Sequence, residues 1–361
     1  MSKKRIDELR KKALAANLDG MVITHLDHVR YLCGYSGSNG LLVITEKQAQ
    51  FLTDFRYVDQ ARKEVKGAKT YIAKKGILPE ELANFPKFNS KNMRYGYSGT
   101  FASVNQLAAL QTALPNALFI KADDLLLDLG WVKDKDEIEL ITKAAAIGDE
   151  ALQRVFNLVA PGVRERELAA ELEYQMMMMG SEQPAFETIC ASGYRSAMPH
   201  GMASDKKLKN GEFVTFDFGA TVGGYCSDMT RTVVVGKASA KHKKIYNLVL
   251  KAQKAGVGRI KAGVACSKID DACRKPITKA GYGKEFGHGT GHGIGFYRNP
   301  IHTGPRLSAI SEDILKPGHV VTVEPGIYLS GWGGVRIEDD IVVTRTGGRI
   351  ITHTPKNLLE L

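Results

Sequence analysis

Long apolar runs, cysteine pairs, internal repeats and low-complexity tracts are all missing from this chain of 361 residues. No segment approaches the roughly 18 consecutive apolar residues of a transmembrane helix, which argues against a membrane protein. The basic N-terminus is followed by no apolar segment, so we expect no secretory signal. The five cysteines form no CxxC pair, which disfavours a structural zinc knuckle and predicts reduced thiols in a cytoplasmic protein.

Acidic residues are outnumbered, because 50 Lys and Arg stand against 39 Asp and Glu, a formal net charge of +11. Such a charge attracts anionic partners such as nucleic acid in some proteins. Here the basic residues are scattered along the chain, which favours a solvated lysine-rich surface and makes nucleic acid the less favoured partner. A composition of 43% hydrophobic and 25% charged residues is typical of a globular protein and excludes a disordered chain.

The length predicts two domains, since one hydrophobic core rarely needs so many residues. Alternating helix and strand patterns over 1–130 predict a small α/β domain. Residues 131–361 combine long helical patterns, the first starting at Asp134, with strand-rich stretches at 211–236 and 318–345. The fold class predicted for the whole chain is α+β.

One predicted ribbon brings two acidic residues together. The midpoint between Asp217 and Asp228 falls beside Gly223-Gly224, a pair that signals a tight turn. Folding back there predicts that Asp217 lies directly opposite Asp228 and that Thr215 lies opposite Thr230. Two facing carboxylates repel each other, and a cation between them would remove that cost.

A second ribbon repeats the construction, with Gly331 midway between Glu324 and Glu338. Two acidic pairs, each centred on a glycine turn and set in Val- and Ile-rich strands, would rarely arise together by chance. Four carboxylates carry a charge of −4, which two divalent cations balance. Oxygen-rich ligation with one imidazole suits Mn²⁺, Co²⁺, Fe²⁺ or Zn²⁺. The pattern therefore predicts a dinuclear metallohydrolase.

The histidines that could join this site lie in glycine-rich or loop contexts. His288 and His292 fall within a nine-residue segment, 287–295, that contains five glycines, which disfavours a helix and favours closely packed backbone. His200 and His302 also occupy loop-like segments. We expect the remaining five to be surface residues: His25, His28, His242, His319 and His353.

These stretches resemble the pita-bread metallopeptidases, the family of methionine aminopeptidase, aminopeptidase P and prolidase. The matching segments are ASGYRSAMPHGMASDKKL, GEFVTFDFGATVGGYCSDMTRTVVVG, GTGHGIG, TVEPGIYL and GGVRIEDD. VRYLCGYSGSNG and LTDFRYVDQA are similar to the N-terminal domain of aminopeptidase P and prolidase, which methionine aminopeptidases generally lack. The resemblance implies an N-terminal domain over 1–130 and a catalytic pita-bread domain over 131–361.

The resemblance also implies roles for individual residues. The implied metal ligands, which hold two divalent ions, Mn²⁺ first and Co²⁺, Zn²⁺ or Fe²⁺ as alternatives, are Asp217, Asp228, His292, Glu324 and Glu338. His200 and His302 match the histidines that contact substrate and assist catalysis, and Glu324 is a candidate general acid/base. His288 matches a histidine near the substrate, and Arg336 matches an arginine that orients the ligands.

One departure from the family pattern lies beside the substrate site. The second catalytic histidine usually follows the ligand histidine by seven residues, where this chain has Asn299. The segment starting at Phe296 is three residues longer than expected, and the pattern resumes at His302. We therefore assign the catalytic role to His302, and the insertion bears on fine specificity.

The implied reaction is hydrolysis of the bond between a first residue and a proline at position two of a peptide, by a homodimer. Xaa-Pro aminopeptidase is the first interpretation, favoured by GYSGSNG and the short two-domain layout, with Xaa-Pro dipeptidase (prolidase) as the alternative. A non-catalytic pita-bread protein that binds protein or nucleic acid is an alternative of another class. A creatinase-like hydrolase without metal is a third. The complete ligand set disfavours both.

Overall fold

The computed structural model describes residues 2–74, 78–296 and 303–361. The chain divides into two compact units, Met1–Gly130 and Trp131–Leu361. None of the helices in these described ranges is both long and apolar enough to cross a bilayer. The mixture of helices, parallel strands and antiparallel ribbons agrees with the predicted α+β class.

The N-terminal unit is built on one six-stranded mixed sheet with the order β4-β3-β2-β1-β5-β6. Its strands are β1 (Gly20–Ile23), β2 (Leu41–Thr45), β3 (Ala49–Asp54), β4 (Lys69–Ala73), β5 (Arg94–Tyr97) and β6 (Leu118–Lys121). Its helices are α1 (Ser2–Ala15), α2 (Leu26–Cys33), α3 (Val58–Glu64), α4 (Leu78–Glu81), α5 (Val104–Ala113) and α6 (Asp123–Leu127). The adjacent inner strands β1, β2 and β3 are buried throughout, as a helix-covered sheet requires.

The C-terminal unit surrounds antiparallel ribbons with four helices in its described part. The helices are α7 (Lys135–Phe156), α8 (Glu165–Met178), α9 (Ala240–Val257) and α10 (Cys266–Lys279). The first strands are β7 (Ile189–Ser192), β8 (Phe213–Phe218), β9 (Thr221–Val222), β10 (Tyr225–Cys226) and β11 (Met229–Val234). The later strands are β12 (Gly291–Gly293), β13 (Thr303–Leu307), β14 (Val320–Val323), β15 (Gly326–Leu329), β16 (Gly333–Arg336), β17 (Asp339–Val343) and β18 (Gly348–Ile350).

Local sequence signals explain where these helices begin and which face they bury. The α7 helix starts at a capping box, in which the Asp134 carboxylate accepts the Glu137 amide at 3.0 Å and Glu137 accepts the Asp134 amide at 2.8 Å. In α8, Leu168, Leu172 and Met176 are fully buried at four-residue spacing. Helices α7 and α8 thus cover the three-stranded sheet β11-β8-β7. Asp217 lies in this sheet, on β8, and Asp228 immediately precedes β11.

The first ribbon pairs two residues away from the predicted register. Thr230, not Asp228, lies opposite Asp217, while the turn falls on Gly223-Gly224, both with positive φ (59° and 82°). A two-residue turn of this type needs positive φ at both central positions, which glycine adopts without strain. The prediction centred the turn one residue too early, and so it wrongly placed Asp217 directly opposite Asp228. Because the error is two residues, both acids remain on the predicted face.

The second ribbon follows the predicted register. Strands β14 and β17 pair Val323 with Asp339, and strands β15 and β16 pair Gly326 with Arg336, all about a turn that contains Gly331. Glu324 and Glu338 lie between these two paired segments, across from each other in the same register.

Three histidines predicted at the surface are buried: His28, His242 and His319. The His242 ring stacks on Trp332 with centroids 5.0 Å apart, and its Nδ1 accepts the Ser239 amide at 3.0 Å. Polar neighbours in sequence therefore misled the prediction, because an imidazole presents an apolar ring face as well as polar atoms.

Candidate active site

Three carboxylates converge from two ribbons. Asp217 is carried by β8, Asp228 precedes β11, and Glu338 follows β16; one ligand oxygen from each lies within 4.8 Å of the others. Gly219, which lies across from Asp228 in the ribbon register, allows the strands to approach, since a Cβ there would lie 1.8 Å from the Ser227 carbonyl oxygen. Glycine at this position thus lets the two strands of the ribbon approach each other next to Asp228.

His292 and Glu324 complete the cluster. The His292 Nε2 atom lies 3.5 Å from an Asp228 oxygen and 3.6 Å from a Glu324 oxygen. Its Nδ1 lies 3.0 Å from the Gly293 carbonyl oxygen, which can only accept, so Nδ1 carries the proton and Nε2 faces the carboxylates. A Cβ at Gly291 would lie 2.2 Å from the Thr322 carbonyl oxygen. The backbone next to His292 therefore packs this closely against the neighbouring strand only because residue 291 is glycine.

The electrostatics of the cluster favour bound cations. Burial, followed by repulsion from Asp217, raises the pKa of Glu338 to about 8. Burial and the neighbouring Glu338 carboxylate also raise the pKa values of Asp228 and Glu324 well above their usual range. The buried Oδ1 atom of Asp217 has no hydrogen-bond partner in the described part of the chain. Four oxygen-donating side chains and one imidazole nitrogen therefore fit divalent metal ions.

Thr230 connects the cluster to Arg336. Its hydroxyl donates to Glu338 Oε2 at 2.6 Å and accepts from Arg336 Nε at 3.0 Å, while Arg336 Nη2 donates to Asp217. The hydroxyl thus fixes the orientation of the Glu338 carboxylate and of the Arg336 guanidinium that holds Asp217.

Replacing Thr230 by Val should lower metal affinity about 10- to 100-fold, because the Glu338 carboxylate loses its orienting donor and Arg336 loses an acceptor. Metal titration of the purified variant measures the change. Thr230→Ser keeps the hydroxyl and should restore affinity to within a few-fold of the parent. Equal affinity of the Val variant and the parent would show that Thr230 orients neither group.

Arg336 also anchors a chain of hydrogen bonds on the cavity wall. Its Nη1 donates to the Pro199 carbonyl at 3.1 Å and to the Tyr328 hydroxyl at 3.0 Å, and Tyr328 in turn lies 2.8 Å from His288 Nε2. His288 Nδ1 donates to the Gly289 carbonyl at 2.7 Å. Burial first, and the Arg336 charge second, lower the pKa of His288 to about 4, so the ring is neutral near pH 7. Both of its nitrogens are engaged within the protein.

Buried charged side chains behind the cluster hold the backbone of Asp228 and Glu338. Asp340 accepts the Asp228 amide at 2.9 Å, and the fully buried Arg231 donates to the Glu338 carbonyl oxygen. Asp339 balances the Arg231 charge at 2.8 Å. Both ribbons are thereby tied to each other next to the ligand positions.

A cavity of about 460 Å³ opens onto the carboxylates. His200, an exposed residue, lies on its wall, as does Arg306, which pairs directly with His292 across strands β12 and β13. His302, the second predicted catalytic histidine, lies in 297–302, outside the described residues.

The family is decided by comparison with known proteins. A family model for metallopeptidase family M24 matches residues 139–345, and one for the creatinase/prolidase N-terminal domain matches residues 5–129. The chain belongs to metallopeptidase family M24. The prediction of a pita-bread metallopeptidase is thereby confirmed.

This M24 peptidase is similar to proline-directed peptidases over its full length. An Xaa-Pro dipeptidase of Pyrococcus furiosus is 38% identical over 99% of this chain and 100% of that protein. The solved structure of an Xaa-Pro dipeptidase from Bacillus anthracis is 43% identical, with a TM-score of 0.94 and full coverage of both chains. That of an X-Pro aminopeptidase from Thermotoga maritima is 34% identical, with a TM-score of 0.88, covering 96% of this chain and 99% of that one.

Sequence reasoning missed several residues of the M24 peptidase site: Thr230, Tyr328, Asp340, Arg306 and Glu187. A signal existed for Thr230, because centring the turn on Gly223-Gly224 places it opposite Asp217. The others contact the site through tertiary packing, for which local spacing carries no signal.

Proposed function

We propose that this M24 peptidase hydrolyses the bond between an N-terminal residue and a following proline, using two divalent ions, with Mn²⁺ as the first candidate. The observation that carries the proposal is the convergence of the Asp217, Asp228 and Glu338 oxygens, next to His292 and Glu324, at the bottom of the cavity. Divalent ions in such a site polarise carbonyl groups and lower the pKa of water.

The chain's own residues supply binding and proton transfer. We assign to Glu324 the acceptance and return of a proton, since it lines the cavity beside His292 and the facing carboxylates. His200 on the cavity wall is assigned to contact the substrate carbonyl, and the resemblance assigns the same task to His302. Arg336 holds Asp217 and the Pro199 carbonyl, and so it positions both a ligand and the segment that carries His200.

Dipeptidase activity is the second candidate, and Arg306 favours it. Its guanidinium forms no ion pair with any described residue, and the backbone register places it directly across from His292. Cross-strand partners project to the same face, so Arg306 offers an unpaired cation on the cavity wall beside His292 to the free carboxylate of a bound Xaa-Pro dipeptide. Longer peptides have an amide at that point.

The test is a peptide panel assayed after chelation and reloading with Mn²⁺, Co²⁺ or Zn²⁺. We expect cleavage of Leu-Pro or Leu-Pro-Gly with metal and none without it. Replacing Arg306 by Gln should raise KM for Leu-Pro about tenfold, while KM for Leu-Pro-Gly changes less than twofold, because only the dipeptide loses a charged contact. A metal-loaded protein that cleaves neither peptide would contradict the proposal, and equal KM changes would remove the role of Arg306.

We further propose a homodimer and a cytosolic location. All five cysteines are buried free thiols, as in proteins of reducing compartments. The division at Gly130 is proposed as the boundary between the N-terminal and the catalytic domains.

A further inference from the structure

One carboxylate on the cavity wall is neither a candidate metal ligand nor a proton-transfer group. Glu187 lines the cavity and is exposed, and it forms no hydrogen bond or ion pair with any residue in the described ranges. It lies two residues before Ile189, which pairs directly with Asp217 across β7 and β8. Glu187 therefore lies close to the ligand cluster but outside it.

Neither cationic side chain on the described cavity wall pairs with Glu187. Arg336 donates to Asp217, within the ligand cluster. Arg306, the other unpaired charge on the wall, lies beyond ion-pair distance of Glu187. One negative charge thus remains on the wall, available to a cation of the substrate.

The surroundings of Glu187 suit a long aliphatic stem with a charged end. Phe186, Ile189 and Met202 line the same cavity with apolar surface. Lysine and arginine bury their methylene groups against such surface and keep the charged head on a polar group. An acidic first residue would instead meet the Glu187 carboxylate with like charge.

From this placement, and resting on the proposed function, we infer that Glu187 is a specificity-determining residue that selects substrates whose first residue is lysine or arginine. It attracts the side chain of that residue and repels aspartate and glutamate, so basic Xaa-Pro substrates form the preferred class.

The experiment compares kcat/KM for Lys-Pro, norleucine-Pro and Glu-Pro in the metal-loaded enzyme. Norleucine keeps the lysine stem without its charge. We expect Lys-Pro to exceed norleucine-Pro about fivefold and Glu-Pro to fall below it about fivefold, the size of a partly exposed ion pair. Both ratios should shrink at high salt, because ions screen exposed charges.

Variants assign the preference to this side chain. Glu187→Gln should bring kcat/KM for Lys-Pro and Glu-Pro close to each other, because the wall then carries no charge at this position. Glu187→Lys should make Glu-Pro the better substrate, and Glu187→Asp should keep the preference for Lys-Pro. Glu150→Gln removes an exposed carboxylate on α7, outside the cavity lining, and should leave the ratio unchanged. Binding of Lys-Pro and Glu-Pro to the metal-free protein, measured by calorimetry, gives a readout independent of turnover.

The outcomes separate this inference from the proposed function. A Lys-Pro to Glu-Pro ratio that is the same in the parent, Glu187→Gln and Glu187→Lys overturns the inference, while cleavage of norleucine-Pro still supports Xaa-Pro hydrolysis. A metal-loaded parent that cleaves none of the three substrates overturns both. A ratio that follows the charge at position 187 supports the inference.

Discussion

Replacing Glu338 by Gln is expected to lower Xaa-Pro hydrolysis on the order of 10³-fold or more, because the metal ions supply several kcal/mol of transition-state stabilisation. The same change should leave the metal-free protein at least as stable as the parent. Burial and the facing Asp217 carboxylate make the Glu338 charge unfavourable in the absence of metal. Metal analysis, peptide assays and thermal unfolding with and without Mn²⁺ measure the three quantities.

Glu165 provides the matched control, since it is also a fully buried carboxylate. It accepts from the Ser192 amide and hydroxyl at 2.7 and 2.8 Å, from Arg195 at 3.0 Å, and from the Ser204 amide and hydroxyl at 3.1 and 2.6 Å. Glu165→Gln should therefore cost about 3 kcal/mol of stability with or without metal. A Glu338→Gln enzyme that keeps its activity and its full metal content would end the ligand assignment.

Metal binding should tighten at least 100-fold between pH 6 and pH 8. Metal must displace the protons that burial and the facing carboxylates retain on Glu338, whose pKa is about 8, and on Asp228 and Glu324. Each displaced proton contributes about tenfold in affinity per pH unit below its pKa. Calorimetric or competition titrations with Mn²⁺ at several pH values measure the slope.

The same protons govern the stability of the metal-free protein. The pKa of Glu338 is raised from 4.5, the value of a solvent-exposed glutamate in the unfolded chain, to about 8 in the folded protein. Its protonation therefore contributes stability that is fully present below about pH 4.5 and lost as the pH rises through about 8. Melting temperatures of the chelated protein should fall across this range, and less steeply in Glu338→Gln. Metal affinity that does not change with pH would show that the carboxylates are ionised before metal arrives.

Local chemistry made the ribbons and their acids predictable. Alternation along a strand assigns Asp217 and Glu338 to defined faces, and glycines that need positive φ mark the turns. The second ribbon has one obvious centre, Gly331, and its register was right. In the first ribbon the prediction placed the two acids directly opposite each other. The turn instead falls on Gly223-Gly224, both with positive φ, which shifts the register by two residues.

The remaining features depend on contacts between distant segments. The spacing of GTGHGIG excluded a helix correctly, but the reason for its glycines is the neighbouring strands, since a Cβ at Gly293 would lie 2.1 Å from the Gly304 carbonyl oxygen. Tyr328 and Asp340 act through partners far away in sequence, His288 and Asp228. No local pattern encodes such a partner, because it exists only after the sheets have assembled.

The five candidate ligands are spread from position 217 to position 338, and each ribbon contributes to the same cluster. No shorter piece of the chain than this span contains the whole set. The complete set of candidate ligands is therefore assembled only when both ribbons have docked. A product terminated before the second ribbon would lack Glu324 and Glu338, and so it could not form the complete candidate site.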